Sequence, residues 1–257
     1  MAAFAPRDCL AWLGLIGFGL VAAAAPALAY RPFDGTDAAV AAPGELEIEF
    51  QPAGPLWQGA ERSLLAPVTV FNFGLREGWE AILQGQGQTP LSPSGPTSLT
   101  DAGVFLKHVL RPGVLQDQPG PSVVTEFGLL LPDSTGDSGL GASVAGIVSQ
   151  RWEWGAIHFN AAAALTRDHY ADVFVGSIFE GPAKWTVRPV AEIFYENEIG
   201  QAETVSGLVG LIWQARDNLA FDVGFRHAVT NGRAVNEVRA GVTVGFALWK
   251  PSASVHR

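Results

Sequence analysis

The residues able to do chemistry are few and scattered. Five histidines, at 108, 158, 169, 227 and 256, keep no metal-ligand spacing, and the only cysteine, Cys9, lies near the amino terminus. Zinc needs clustered nitrogen and sulfur ligands, so no metal site and no cofactor is expected. His158-Phe159-Asn160 sets a base and an amide on one face of a strand, but no serine is clearly beside them and His-x-Ser does not occur. A hydroxyl nucleophile needs a base within hydrogen-bond reach, so no catalytic residue is assigned and the chain reads as a non-enzyme. Asp133-Ser134-Thr135-Gly136-Asp137 lacks the spacing and closing glutamate of a calcium loop. Gly85-Gln86-Gly87 runs into a proline-serine stretch instead of a helix, which excludes a dinucleotide fold.

What remains is a set of charges that alternate with apolar residues. Asp222 and Arg226 alternate with Leu219, Phe221, Val223 and Phe225; Glu237 and Arg239 alternate with Val238, Ala240 and Val242. Arg188 and Glu192 sit opposite in parity to Val187, Ala191 and Ile193, and Glu45, Glu47 and Glu49 alternate with Leu46, Ile48 and Phe50. A period of two puts the sets on opposite faces of a strand. Opposite charges on neighbouring strands suit an enclosed interior, where an unpaired charge is costly. Closure of the last strand on the first would set Arg239 near the glutamates at 45, 47 and 49. The residues expected to line the interior are Glu47, Glu49, Lys107, Glu126, Arg188, Glu192, Asp222, Arg226, Glu237 and Arg239.

The elements that must carry them are strands. Turn signals divide the chain into segments near 44–51, 66–75, 78–86, 102–110, 122–132, 141–151, 154–165, 171–179, 185–196, 203–214, 218–228 and 235–247. Twelve is even, as bacterial single-chain barrels require, and each segment approaches the roughly 9–11 residues of a spanning strand. No stretch after residue 29 reaches the roughly 20 apolar residues of a spanning helix. Connections read as short at 75–78, 152–153, 180–184 and 215–217, and mostly longer between them, at 52–65, 87–101, 133–140, 166–170, 197–202 and 229–234. Short turns on one side and longer loops on the other are a barrel's usual asymmetry; the long, proline-rich 111–121 connection breaks it. Trp79, Trp152, Trp154, Trp185, Trp213 and Trp249 gather beside the short turns, where an aromatic membrane-interface girdle belongs.

At the amino terminus, Arg7 precedes an apolar run from Leu10 to Ala25 and the small-x-small triplet Ala27-Leu28-Ala29. That is the form of a cleaved signal peptide over 1–29, and its removal leaves a chain without cysteine. The formal net charge is −9, with only three lysines, so no nucleic-acid partner is expected. The division expected is a signal peptide, a periplasmic segment over 30–43, a barrel over 44–247 and a tail over 248–257.

The mature start, Arg31-Pro32-Phe33…Thr36-Asp37-Ala38 and then Pro43-Gly44-Glu45-Leu46-Glu47-Ile48-Glu49, resembles the opening of a Gram-negative outer-membrane protein family. That family is named for the MetA pathway of phenol degradation, and its members are described as candidate transporters. Glu126-Phe127-Gly128-Leu129-Leu130-Leu131-Pro132, Gly181-Pro182-Ala183-Lys184-Trp185 and Gly224-Phe225-Arg226 fit the same type. Arg239-x-Gly241-x-x-Val244-x-Phe246 resembles the last-strand signal of such barrels, although Ala247–Arg257 follows it. The expectation is therefore an all-β, closed antiparallel transmembrane barrel in the outer membrane, delivered by the outer-membrane assembly machinery into a lipid bilayer. Its expected role is a channel or transporter for a small solute, aromatic or hydrophobic molecules included. The alternative is a non-conducting structural or binding barrel with a filled lumen, closed by side chains or by the 30–43 segment folded inside. A hydrolase ranks below both.

Overall fold

The computed structural model describes residues 31–136 and 139–249, together with the backbone of Ala23–Ala24. The expected signal peptide otherwise lies outside the described residues, as does the tail beyond Trp249. Twelve strands form one closed antiparallel sheet. β1 is built in two pieces, Glu45–Gln51 and Gly54–Gln58, on either side of Pro52 and Ala53. β2 (Glu61–Arg76), β3 (Trp79–Ser92), β4 (Ser98–Arg111), β5 (Ser122–Leu130) and β6 (Gly141–Trp152) follow. β7 (Gly155–Leu165), β8 (Ala171–Glu180), β9 (Val187–Glu198), β10 (Ala202–Arg216), β11 (Leu219–Thr230) and β12 (Arg233–Ala247) complete the wall. Each strand pairs with its neighbours in sequence, and both pieces of β1 pair with β12, which closes the cylinder. Closure satisfies the strand edges internally, the condition for a sheet to stand in lipid.

The two faces separate as the alternation requires. Phe71, Val144, Ile193, Val209, Phe221, Val223 and Phe225 are exposed on the outer surface, whereas Glu49, Asn72, Lys107, His158, Glu192, Asp222 and Glu237 are buried inside. The outer surface is thus a continuous apolar band of the kind that meets acyl chains.

Both barrel termini, Glu45 and Ala247, lie at one end, here called lower. The lower connections are 77–78, 112–121, 153–154, 181–186 and 217–218; the upper ones are 59–60, 93–97, 131–140, 166–170, 199–201 and 231–232. The expected long upper loops are therefore largely absent. Much of 52–65 and 87–101 is strand instead, because β2 to β4 run beyond the height of their neighbours. Residues 231–232 are a two-residue turn in which Asn231 (φ 48) and Gly232 (φ 77) are both left-handed, the turn whose twist matches paired strands. The Asn-Gly dipeptide signals that hairpin in the sequence itself. The long lower connection 112–121 folds against the wall through a 3-10 turn at Val114–Gln116. Its Leu115 packs with Val124 and Ile147, and Leu115 N–H donates to Ser122 Oγ at 2.9 Å.

Candidate functional site: the strapped lumen

The interior does not contain wall residues alone. Residues 31–43, part of the segment expected in the periplasm or, in the filled-lumen alternative, folded inside, run through the lumen as an irregular strap. Irregular backbone at membrane depth is tolerated only where protein groups satisfy its N–H and C=O groups, and the inward-facing polar residues do this one after another. Arg239 Nη1 donates to Pro32 O at 2.7 Å. The Glu192 carboxylate accepts from the N–H groups of Asp34 at 2.8 Å and Gly35 at 2.7 Å. Asn160 holds Thr36 from both sides, accepting its N–H at 3.0 Å and donating to its carbonyl at 2.8 Å. Lys107 Nζ donates to Thr36 Oγ1 at 3.2 Å. Ala38 is fixed between Ser149 Oγ, which accepts its N–H at 2.8 Å, and Gln116 Nε2, which donates to its carbonyl at 2.6 Å. Glu80 accepts from Ala41 N–H. Where the strap leaves the lumen it lies against Gly74, and any Cβ there would collide with the carbonyls of Ala41 and Ala42.

Ion pairs and apolar contacts complete the seat. Arg31 hydrogen-bonds Gln51 and lies 3.3 Å from Asp222. Asp34 meets Arg239 at 2.9 Å and Arg226 at 3.3 Å, and both arginines also reach Glu237. Burial by itself would raise the Asp34 carboxyl, but Arg239 and Arg226 outweigh it and hold that carboxyl below its ordinary range. Phe33 packs on Val190, Ile212 and Ala220, and Ala38 on Val124 and Ile147.

The ten residues expected inside the barrel do not form one group. Glu192, Lys107, Asp222, Arg226 and Arg239 bind the strap directly. Glu237 supports two of those arginines. Glu126 stands opposite Lys107 in the ladder, and so does Glu80 on the other side. Arg188 pairs with Glu180 at 3.5 Å. Glu49 accepts from Asn72 Nδ2 at 2.9 Å, and Glu47 is buried near the lower mouth. Closure does not bring Arg239 to the glutamates of β1. The register puts Gly245 opposite Glu47, and Arg239 turns to the strap instead. The strap residues Arg31 and Asp34, together with Glu80 and Ser149, are lumen residues that the sequence does not mark as such. Short polar stretches before a first strand carry no local signal of where they will lie.

His158 does have a serine beside it. Ser149 is its cross-strand partner; Ser149 Oγ lies 2.8 Å from His158 Nδ1, and His158 Nε2 lies 3.3 Å from Glu180. The order Ser–His–Glu is that of a nucleophile with its base and orienting acid. Ser149, however, is fully buried and its oxygen already accepts the Ala38 N–H, so no carbonyl can approach it. The chain of contacts from Ala38 through Ser149 and His158 to Glu180 and Arg188 ties the strap to the wall.

Above the strap the barrel holds a vestibule of about 590 Å³. The strap is its floor, through Phe33, Asp34, Gly35 and Thr36. At its upper rim Arg167 lies 3.3 Å from Asp133 and 3.7 Å from Asp101, and its guanidinium also donates to the carbonyls of Leu131 and Ala102.

The six tryptophans lie on or beside the lower halves of their strands. Trp152 stacks on Trp154, Trp79 on His108, and Trp213 on Phe221, while Trp249 meets Phe73 edge-on. Trp185 is exposed in the turn before β9, one element boundary away from the strand position expected for it.

No known family and no curated protein matches the sequence. Solved structures do match the fold. The COG4313 outer membrane channel from Pseudomonas putida F1 superposes with a TM-score of 0.59 at 8% identity, covering 83% of this chain and all of that one. The KdgM porin superposes with a TM-score of 0.53 at 10% identity, covering 77% of this chain and 98% of that one. KdgM in complex with disordered oligogalacturonate gives the same TM-score at 9% identity. The fold is that of an outer-membrane porin-like barrel. At such identities the likeness concerns the fold alone.

Proposed function

We propose that this protein is an outer-membrane channel for a small solute, and that residues 31–43 are its resident closure. The vestibule carries this reading: an open chamber of about 590 Å³ leads from the upper end to a floor made of one strap of chain. A barrel that served only as a scaffold would have no need of such a chamber, and side chains could fill it. Solved barrels of the same fold include proteins named as a channel and a porin. The resemblance of the mature start to the MetA-pathway family fits a solute with aromatic or apolar character. The signal peptide, an outer-membrane location, insertion by the assembly machinery through β12, and a bilayer boundary at the six tryptophans belong to the same reading.

One observation favours the second reading, a non-conducting barrel: the strap crosses the lumen and is bonded along most of its length. Planar-bilayer recording of the refolded mature chain, beside a variant lacking residues 31–43, separates the two. Discrete conductance steps in the full chain, larger or longer-lived in the deletion, are expected. A deletion variant that inserts and shows heat-modifiable migration, yet conducts no ions, overturns the channel reading.

A further inference from the structure

The vestibule walls differ in chemistry from side to side. On β2, β3, β5 and β7 the lining includes the apolar Val70, Ile82, Leu130, Ala162 and Ala164, and each acid on that side has a polar partner: Glu126 stands opposite Lys107 in the ladder, Asp101 lies 3.7 Å from Arg167, and Glu49 accepts from Asn72. On β8 and β9, half-way round the cylinder from β2 and β3, the lining is Asp172, Phe174, Glu196 and Glu198. Asp172 and Glu198 are directly opposite each other in the ladder, and Glu196 is two residues from Glu198 on the same face. Like charges facing across a strand pair destabilise a sheet. The flanking strands do not relieve this: Ala164 stands beside Asp172 on β7, and Thr204 and Ala202 stand beside Glu196 and Glu198 on β10.

The cations in reach are already engaged. Arg167 is held by Asp101, Asp133 and two carbonyls, and Arg226 is held by Asp34 and Glu237. No described cation lies within ion-pair distance of Asp172, Glu196 or Glu198, and Asp172 Oδ1 is buried without a hydrogen-bond partner among the described residues. These three carboxyls therefore face the chamber without a cation of the wall paired to them. Among the described residues no group of three or more acidic, histidine or cysteine side chains is close enough to hold a metal ion. A diffuse acidic wall across the chamber from a more apolar one, with Phe174 on the acidic side and Phe33 in the floor, suits a larger and softer cation.

We infer that the vestibule is a binding site for organic cations, an ammonium group carried on an apolar or aromatic body. The ammonium lies against Asp172, Glu196 and Glu198, and the body lies against the alanine and aliphatic wall. This rests on the channel reading for its role in transport, but the binding itself does not. The test uses three probes of one shape: benzyltrimethylammonium, benzyl alcohol and benzoate. Each is titrated calorimetrically into the refolded mature barrel in low salt, and into the triple variant D172N/E196Q/E198Q checked by heat-modifiable migration. The ammonium should bind about tenfold tighter than the alcohol, the size of effect one uncompensated charge has in a partly enclosed site. Benzoate should be weakest, and the triple variant should bring the ammonium down to the alcohol. Benzoate binding as tightly as the ammonium, a variant that keeps the ammonium preference, or no binding of any probe overturns the inference. In a salt gradient across a planar bilayer, the native barrel should also give the reversal potential of a cation-selective pore. Ammonium binding without any conductance leaves the site standing and removes the channel.

Discussion

Replacing Asp34 by asparagine should loosen the strap without touching the barrel wall. The Asp34 carboxylate sits in a cage of Arg226 and Arg239, at 3.3 Å and 2.9 Å. Its side chain is 26% exposed, so the pair lies between a surface ion pair and a buried one. Surface pairs contribute roughly 0–1 kcal/mol, and breaking a buried pair costs about 3–5 kcal/mol. An intermediate loss of about 1–3 kcal/mol follows, because both arginines keep Glu237 and part of the void fills with water. That raises the undocked fraction roughly 5- to 150-fold, at about 1.4 kcal/mol per factor of ten. With the only cysteine at position 9, ahead of the expected cleavage, Ala39→Cys supplies a unique thiol at a site 2% exposed. Its labelling rate by a water-soluble thiol reagent then reports undocking. Adding Asp34→Asn should speed labelling by about 5- to 150-fold. Glu203→Gln, exposed on β10 and remote from the strap, should not. A rate unchanged within about twofold would refute the claim that this cage seats the strap.

The same assay fixes a pH dependence. A carboxyl held below its ordinary value adds stability that is fully present above about pH 4 and lost as pH falls through the lowered pKa. The labelling difference between the barrel that keeps Asp34 and its Asp34→Asn variant should therefore be constant through neutral pH and vanish in strong acid; a difference that disappears between about pH 6 and 8 contradicts the assignment. Lys107, 1% exposed and flanked by Glu80 and Glu126 in the ladder, should tolerate removal badly. Lys107→Met is expected to cost about 3–5 kcal/mol in urea unfolding from lipid vesicles, since it leaves two carboxylates uncompensated. Lys107→Met/Glu80→Gln/Glu126→Gln should recover most of that loss, and a triple variant no more stable than the single one would show that charge is not the cause.

The wall is written in short stretches of sequence. Side-chain parity along a strand is local, so Leu219 to Arg226 and Glu237 to Phe246 disclose which residues face outward and which face inward without any knowledge of neighbours. Turn residues do the same for strand number, and twelve strands follow from them. Strand lengths are less legible: Gly54–Gln58 and the upper parts of β2 to β4 contain prolines and polar residues, which read as loop until a partner strand supplies the ladder. The contents of the lumen are another matter. Asp34 meets Arg239 across 205 positions, and its N–H meets Glu192 across 158. No local period encodes contacts of that separation, because they exist only once the sheet has closed and brought β4, β7, β9 and β12 around one axis. Folding alone selects which inward charges hold the strap, and which, at Asp172, Glu196 and Glu198, are left facing open space.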